Sequence, residues 1–279
     1  MNTHPMTVMR RALANALMVA TLLIASWTQV VAEPPRRIIS TDAGATEIII
    51  ALDHGDHLVG VDDSSRTATT DDIPRLGYHR ALAAEGLIAL APDLVIGSHQ
   101  MGPTHVREAL QRSQIEVLTL EPAMSASQLR HNIEQLAHAL HSGSHHALLQ
   151  QLDRQTNTLH EAATGKGLSA AFLLRAQGGL LRLAGTDTAG DAFIQLIAAD
   201  NLADHTGYRS LSPEAVLALQ PDILLLADTE GKDADRFLTD FPLLRHSSAA
   251  NNQRLLMIDP NTLVSGLSMA AIEEALRVQ

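Results

Sequence analysis

A stretch that this chain carries twice limits the folds open to it. The first copy occupies residues 78–93 (YHRALAAEGLIALAPD) and the second residues 208–222 (YRSLSPEAVLALQPD). Each follows a glycine (Gly77, Gly207), places a glutamate seven residues before a Pro-Asp pair (Glu85 before Pro92, Glu214 before Pro221), and leads into an apolar segment. The only two tyrosines of the protein open the copies. A second partial match extends the duplication: Thr41-Asp42 precedes an apolar helical pattern, and so does Thr186-Asp187. Duplication predicts two related lobes, and two lobes imply a cleft.

Between these landmarks the pattern alternates. Short β-branched or apolar runs at 37–40, 58–61, 94–97 and 116–120 predict strands. Apolar residues at helical spacing over 45–52, 83–90 and 104–113 predict helices, the second stopped by Pro92. Strand-helix-strand alternation is the pattern of an α/β fold with a mainly parallel sheet flanked by helices. From 125 to 163 the pattern becomes helical, with Leu129, Ile133, Leu136 and Leu140 at three- and four-residue intervals. Ser142-Gly143 then breaks the run, and Leu148, Leu149, Leu152 and Leu159 resume it. No Gly/Ser- or Pro-rich hinge occurs there, so the connector is expected to be rigid. Beyond it, strands are predicted at 170–174, 181–184, 223–226 and 255–258, with helices over 234–241 and from Ser268. The expected organisation is a leader at 1–32, a first lobe at 33–124, a connecting helical segment at 125–168 and a second lobe at 169–279.

The leader has the parts of an export signal: Arg10 and Arg11, an apolar run interrupted by Asn15 and Ser26, and Val30-Val31-Ala32 as a small-residue cleavage site. The run is too short for a transmembrane span, and no other stretch is long and apolar enough to be one. No cysteine is present, so neither disulfides nor a cysteine-borne lipid anchor is available, and a mature form free in a periplasm is expected. The net charge of −11, more negative once Arg10 and Arg11 leave, disfavours nucleic acid and anionic membrane as partners. Enzyme signatures are missing. Ser40, Ser98 and Ser210 lie outside any Gly-x-Ser-x-Gly setting, and no Gly-rich phosphate loop follows a strand. Asp42 and Asp187 are expected to be helix-entry caps rather than an acid/base pair.

Residues 77–86 (GYHRALAAEG) resemble the G-Y-x-R-x-L-S-A-E-G signature of periplasmic haem-binding proteins of bacterial haem ABC importers, with Ala83 at the usual serine. Features shared with the wider cobalamin and siderophore binders include T-E-I-I-x-A-L, A-P-D-L-V and S-P-E-A-V-L-A-L-x-P-D, so the resemblance covers nearly all of 37–279. It implies two α/β lobes joined by a long backbone helix, with haem b (hemin) held between them. Delivery is to an ABC permease dimer with its ATPase subunits, and the binding protein is expected to act as a monomer.

The resemblance makes Tyr78 the axial ligand of the haem iron. Ferric iron accepts a tyrosinate oxygen, and the guanidinium of Arg80 would favour the ionised phenol. Tyr208 is expected at the porphyrin face or rim from the second lobe, the alternative being a loop tyrosine packed on its own lobe. Gln177 precedes Gly-Gly where some family members carry a histidine as second axial ligand. Glutamine is a poor ligand, which leaves the iron five-coordinate or ligated by another group. His79, His99, His105 and His205, in loops expected to face the cleft, are candidates. Glu85 and Glu214 are expected to form salt bridges with permease arginines, although a glutamate in a helix's first turn is also what the macrodipole favours. The rival ligands are cobalamin or a ferric siderophore on the same scaffold. A zinc or manganese binder is a further rival, suggested by His138, His141 and His145 at near-helical spacing, although that segment belongs to the connector.

Overall fold

Strand β1 (Ile38–Ser40) gives way at once to a helix because Asp42 caps it: Asp42 Oδ1 accepts the Ala45 N–H at 2.9 Å at the start of α1 (Ala43–Ala51). The computed structural model that shows this describes residues 33–176, 179–228, 231 and 233–278. The leader and Gln177 lie outside the described residues. After α1 follow β2 (Leu58–Val61), α2 (Ala84–Ala89), β3 (Leu94–Ser98), α3 (Thr104–Arg112) and β4 (Glu116–Leu120). Their sheet has the order β2-β1-β3-β4, every pair parallel. Its central strands β1 and β3 are buried throughout, as strands covered by helices on both faces must be.

The connector is α4 (Ala126–Ala139) folded back along α5 (His145–Ala162), with Arg130 of α4 paired to Asp153 of α5. The turn falls at the predicted Ser142-Gly143 break. His141 adopts a left-handed φ of 53° there, and the hydroxyls of Ser142 and Ser144 each lie 3.3 Å from Leu52 O at the end of α1. The long member, α5, spans 18 residues, about 27 Å.

Beyond it come β5 (Ser169–Arg175), β6 (Leu181–Ala184), α6 (Ala189–Leu196), β7 (Asp200–Asn201), β8 (Tyr208–Ser210), α7 (Pro213–Leu219), β9 (Ile223–Asp228), α8 (Ala234–Asp240), α9 (Ser248–Asn251), β10 (Leu255–Ile258) and α10 (Met269–Arg277). The second sheet runs β10-β9-β5-β6-β8, with β7 also pairing to β5. β10, β9 and β5 are parallel, whereas β6 is antiparallel to both β5 and β8. Two local expectations are corrected. Tyr208 opens a strand rather than a loop, because β6 offers it an edge to pair with. The cap of α6 is Thr188, whose hydroxyl accepts the Asp191 N–H at 3.1 Å. Asp187 stands exposed one residue earlier with φ 61°.

One apolar cluster joins the two sheets. It runs from Ile38, Ile49 and Leu94 through Leu136, Leu149 and Leu152 to Phe172, Phe193 and Ile272, and each such side chain contributes about 1.5–3 kcal/mol by its burial. Smaller clusters around Leu87 and Val95, and around Val216 and Leu224, serve the outer faces. Pro35–Gln279 therefore forms one compact unit. The chain crosses between the sheets a second time where Gly266 passes Ala123: Ala123 N–H donates to Ser265 O at 3.1 Å and Leu267 N–H to Ala123 O at 2.7 Å. Gly266 has φ 99°, and a Cβ there would lie 2.6 Å from the Ala123 backbone, so only glycine fits. Among the described residues no helix is long and apolar enough to cross a membrane.

Glu47 ties α1 to α10, its Oε2 accepting the Ala270 N–H at 3.1 Å. Burial pushes its carboxyl up to about 7, against the hydrogen bonds from Ala270 and Ser268. The unfolded chain releases this proton near 4.5 and the folded one near 7, so the folded state binds more protons in between. The contribution of Glu47 to stability is thus full below 4.5 and lost as pH rises through 7. Glu47→Gln is expected to flatten that decline and to be more stable than the wild type at about pH 8, as measured by urea midpoints at about pH 5 and about pH 8.

Candidate functional site

The cleft forms where the loops after β2 and α1's sheet face the cleft side of β5, β6, β8 and β9, with a volume of about 530 Å³. That is within the usual range for a small-molecule site. On the first side lie Ser64, Tyr78, His79 and Arg80. Gly77, at φ 91°, turns the chain so that the following residues reach the cleft, and its carbonyl accepts the Asp63 N–H at 3.0 Å. Ala81 N–H to Tyr78 O, 2.8 Å, and Gly102 N–H to His79 O, 3.0 Å, hold the turn. Tyr78 is left 52% exposed, a large side chain held out into the opening. The guanidinium of Arg80 donates to Gln100 Oε1 on the loop after β3.

Behind Tyr78 stands a polar support that the sequence reading missed. The His79 ring lies 4.4 Å from the Tyr78 ring, centroid to centroid, and is itself buried. Its Nδ1 is 3.4 Å from Asp62 Oδ2, an ion-pair distance rather than a well-formed hydrogen bond. Asp62 is fully buried and accepts from Ser65 Oγ at 2.6 Å, from Ser64 N at 3.2 Å and from Ser64 Oγ. Burial alone would push its carboxyl up, but His79 beside it and the donors Ser64 and Ser65 outweigh it and hold the group below the usual carboxylate range. Asp62 is therefore a fixed anion under the turn. Its only sequence signal was position, directly after a parallel strand, where α/β sheets collect ligand groups.

On the second side, strand alternation puts Phe172 and Leu174 of β5, Arg182 of β6, Tyr208 of β8 and Ala227 of β9 on the cleft. Phe172, Leu174 and Ala227 make an apolar strip with Arg182 near its edge, and Asp228, Asp259 and Asn261 add a polar rim. Tyr208 stands in a strand with its ring on the cleft. Burial raises its hydroxyl above the ordinary phenol range, opposed by hydrogen bonds with the Gly190 N–H and Thr188 and by the charge of Arg182. The ring lines the cleft, with the hydroxyl toward Thr188 and Gly190 at the start of α6. The repeat has thus produced two unlike tyrosines.

Of the four loop histidines expected to face the cleft, His79 alone lines it. His99 and His105 are exposed elsewhere, and His205 is buried with Nε2 3.4 Å from Leu183 O. His138, His141 and His145 gather with Glu134 around a hollow at the α4–α5 turn, away from the cleft. Among the described residues no three histidine or carboxylate side chains converge as metal ligands. Glu85 and Glu214 are both exposed, each in the first turn of its helix, α2 and α7. The two helix starts differ. Ser212 accepts the Ala215 N–H at 3.3 Å, whereas Ala83 has no side chain with which to cap α2.

This arrangement can hold a flat, partly apolar molecule between an exposed phenol and an apolar strip. The periplasmic heme binding protein HutB of Vibrio cholerae is 35% identical, with a TM-score of 0.78 over 87% of this chain and 96% of that one. A periplasmic heme binding protein of Pseudomonas aeruginosa is 32% identical, with a TM-score of 0.80 over 88% and 91%. Among curated relatives, the uncharacterized ABC transporter substrate-binding lipoprotein YvrC of Bacillus subtilis is 27% identical over 70% of this chain, which spans 64% of that relative. The vitamin B12-binding protein of Vibrio parahaemolyticus is 24% identical over 83% of this chain and 86% of its own length. Residues 38–262 match the family model described as periplasmic binding protein. A two-lobed α/β scaffold around a cleft is the form of a substrate-binding component, and this chain belongs to the periplasmic binding protein family.

Proposed function

We propose that the protein captures haem between its two sheets in the periplasm and delivers it to an inner-membrane ABC importer. The observation that carries this reading is the exposed phenol of Tyr78, held by the Gly77 turn opposite the apolar floor of Phe172, Leu174 and Ala227. A macrocycle laid on that floor would bury its apolar faces and bring its metal to the phenol. Tyr78 is the axial ligand of the iron, Arg80 the cation beside it and Tyr208 a contact from the second side. The haem-binding names of the two similar structures support the same ligand. The lobes are assigned to 33–124 and 169–279, the connector to 125–168, and residues 1–32 to a cleaved export signal.

Haemin titration of the protein lacking its leader tests this. Saturable binding with a Soret shift and ferric tyrosinate bands is expected. Tyr78→Phe keeps the ring and removes the ligand, so the tyrosinate bands should vanish and affinity should fall by more than about tenfold. A wild type that binds no haemin, or a Tyr78→Phe variant with unchanged spectrum and affinity, overturns the assignment. The second reading, a cobalamin binder, is carried by the Vibrio parahaemolyticus relative. It requires cyanocobalamin to bind with no dependence on the Tyr78 hydroxyl.

Glu85 and Glu214 are proposed as the permease contacts, one from each half, suited to a partner built of two equivalent subunits. The own backbone N–H of Glu214 and the Ser212 hydroxyl hold its carboxyl below the ordinary range, so it is charged at neutral pH. Charge reversal at both sites (Glu85→Lys, Glu214→Lys) should abolish stimulation of the importer's ATPase. Haemin affinity should be unchanged.

A further inference from the structure

Two arginines enter the second sheet on neighbouring strands and meet different fates. Arg175, at the end of β5, is buried and commits its guanidinium to carboxylates: Nη1 lies 2.7 Å from Asp240 Oδ2 and 3.4 Å from Asp228 Oδ2. Arg182, in β6, is half-buried and lines the cleft. Its Nη2 donates to Tyr208 O at 3.2 Å and its Cζ stands 5.5 Å from the Tyr208 ring centroid. Among the described residues no carboxylate is within ion-pair distance of it. A guanidinium has five donors, and these contacts use one of them on a neutral carbonyl. In a chain of net charge −11, Arg182 is a cation on the cleft face with donors left over for an acceptor from outside.

The strand register says what kind of anion fits. Arg182 pairs across to Leu174, and Leu174 to Ala227, so one row of the sheet reads cation, leucine, alanine on the cleft face. Leu181 and Leu183, the neighbours of Arg182 in β6, point into the apolar cluster on the opposite face. A ligand matching this row is flat and apolar over most of its area, with a carboxylate at one edge. Arg80 is on the other side of the cleft and already donates to Gln100, so it does not supply the same contact.

We propose that Arg182 anchors a carboxylate of the bound ligand, and, resting on the haem reading above, that this carboxylate is a haem propionate. Arg182 then fixes which edge of the disc enters the second side of the cleft. It also makes the site selective for the free acid over esterified porphyrin.

The test compares haemin with its dimethyl ester on the wild type, Arg182→Ala and Arg182→Lys, by absorbance titration. The wild type is expected to bind haemin about tenfold or more tightly than the ester. Arg182→Ala should lose that margin for haemin while binding the ester as the wild type does, and Arg182→Lys should recover part of it. The tyrosinate bands at saturation and the melting temperature without ligand should be those of the wild type, which a merely structural role for Arg182 would not allow. Haemin affinity of Arg182→Ala within about twofold of the wild type, or equal binding of acid and ester by the wild type, overturns this inference and leaves the haem reading intact. A wild type that binds neither overturns both.

Discussion

Everything in this molecule depends on an apolar core that does not stop at the boundary between the two sheets. Leu136 of α4, Leu149 and Leu152 of α5 and Ile272 of α10 belong to the same cluster as Ile38 under the first sheet and Phe172 under the second. The halves are also stitched where Gly266 crosses Ala123 and where Glu47 meets the start of α10. Pulling the sheets apart would expose that cluster to water, at a cost proportional to the apolar area uncovered. The cleft is therefore largely preformed, and a ligand entering it loses little of its binding energy to ordering the protein.

Within that frame the duplication has been used asymmetrically. Both copies begin with a glycine and a tyrosine, but the antiparallel strand β6 exists only in the second sheet, and it converts the second tyrosine from a turn residue into a strand residue. Tyr78 keeps its exposure and gains a buried polar support in His79 and Asp62. Tyr208 is half-buried, its hydroxyl toward the start of α6. The outward-facing glutamates, in contrast, remain equivalent in placement, because the helices that carry them need nothing from the cleft.

What could be read from the sequence divides along the range of the interactions involved. Elements set by local periodicity and local caps were legible: the parallel first sheet, the Asp42 cap, the break at Ser142-Gly143, the terminal helix. Where two neighbouring residues competed for one local role, the choice was not legible, and Thr188 caps α6 in place of Asp187. The least legible features were those assembled from distant segments. Asp62 and His79 are seventeen positions apart and meet only because the Gly77 turn is pinned to the loop after β2. Arg182 showed itself only as a charge between two leucines, Leu181-Arg182-Leu183, a pattern that says which face it takes but not that the face is a cleft. The exposed histidines illustrate the converse, since abundance in the sequence did not bring them to the site.

The placement of the two tyrosines has an optical consequence. From residue 33 onward the chain has no tryptophan and no cysteine, so Tyr78 and Tyr208 are its only strong near-ultraviolet absorbers. Both line the cleft, one with an exposed phenol and one with a hydrogen-bonded, half-buried phenol. Tyrosine absorption and emission of residues 33–279 thus originate wholly within the cleft. The protein carries a built-in reporter in which any change of signal is a change in the cleft.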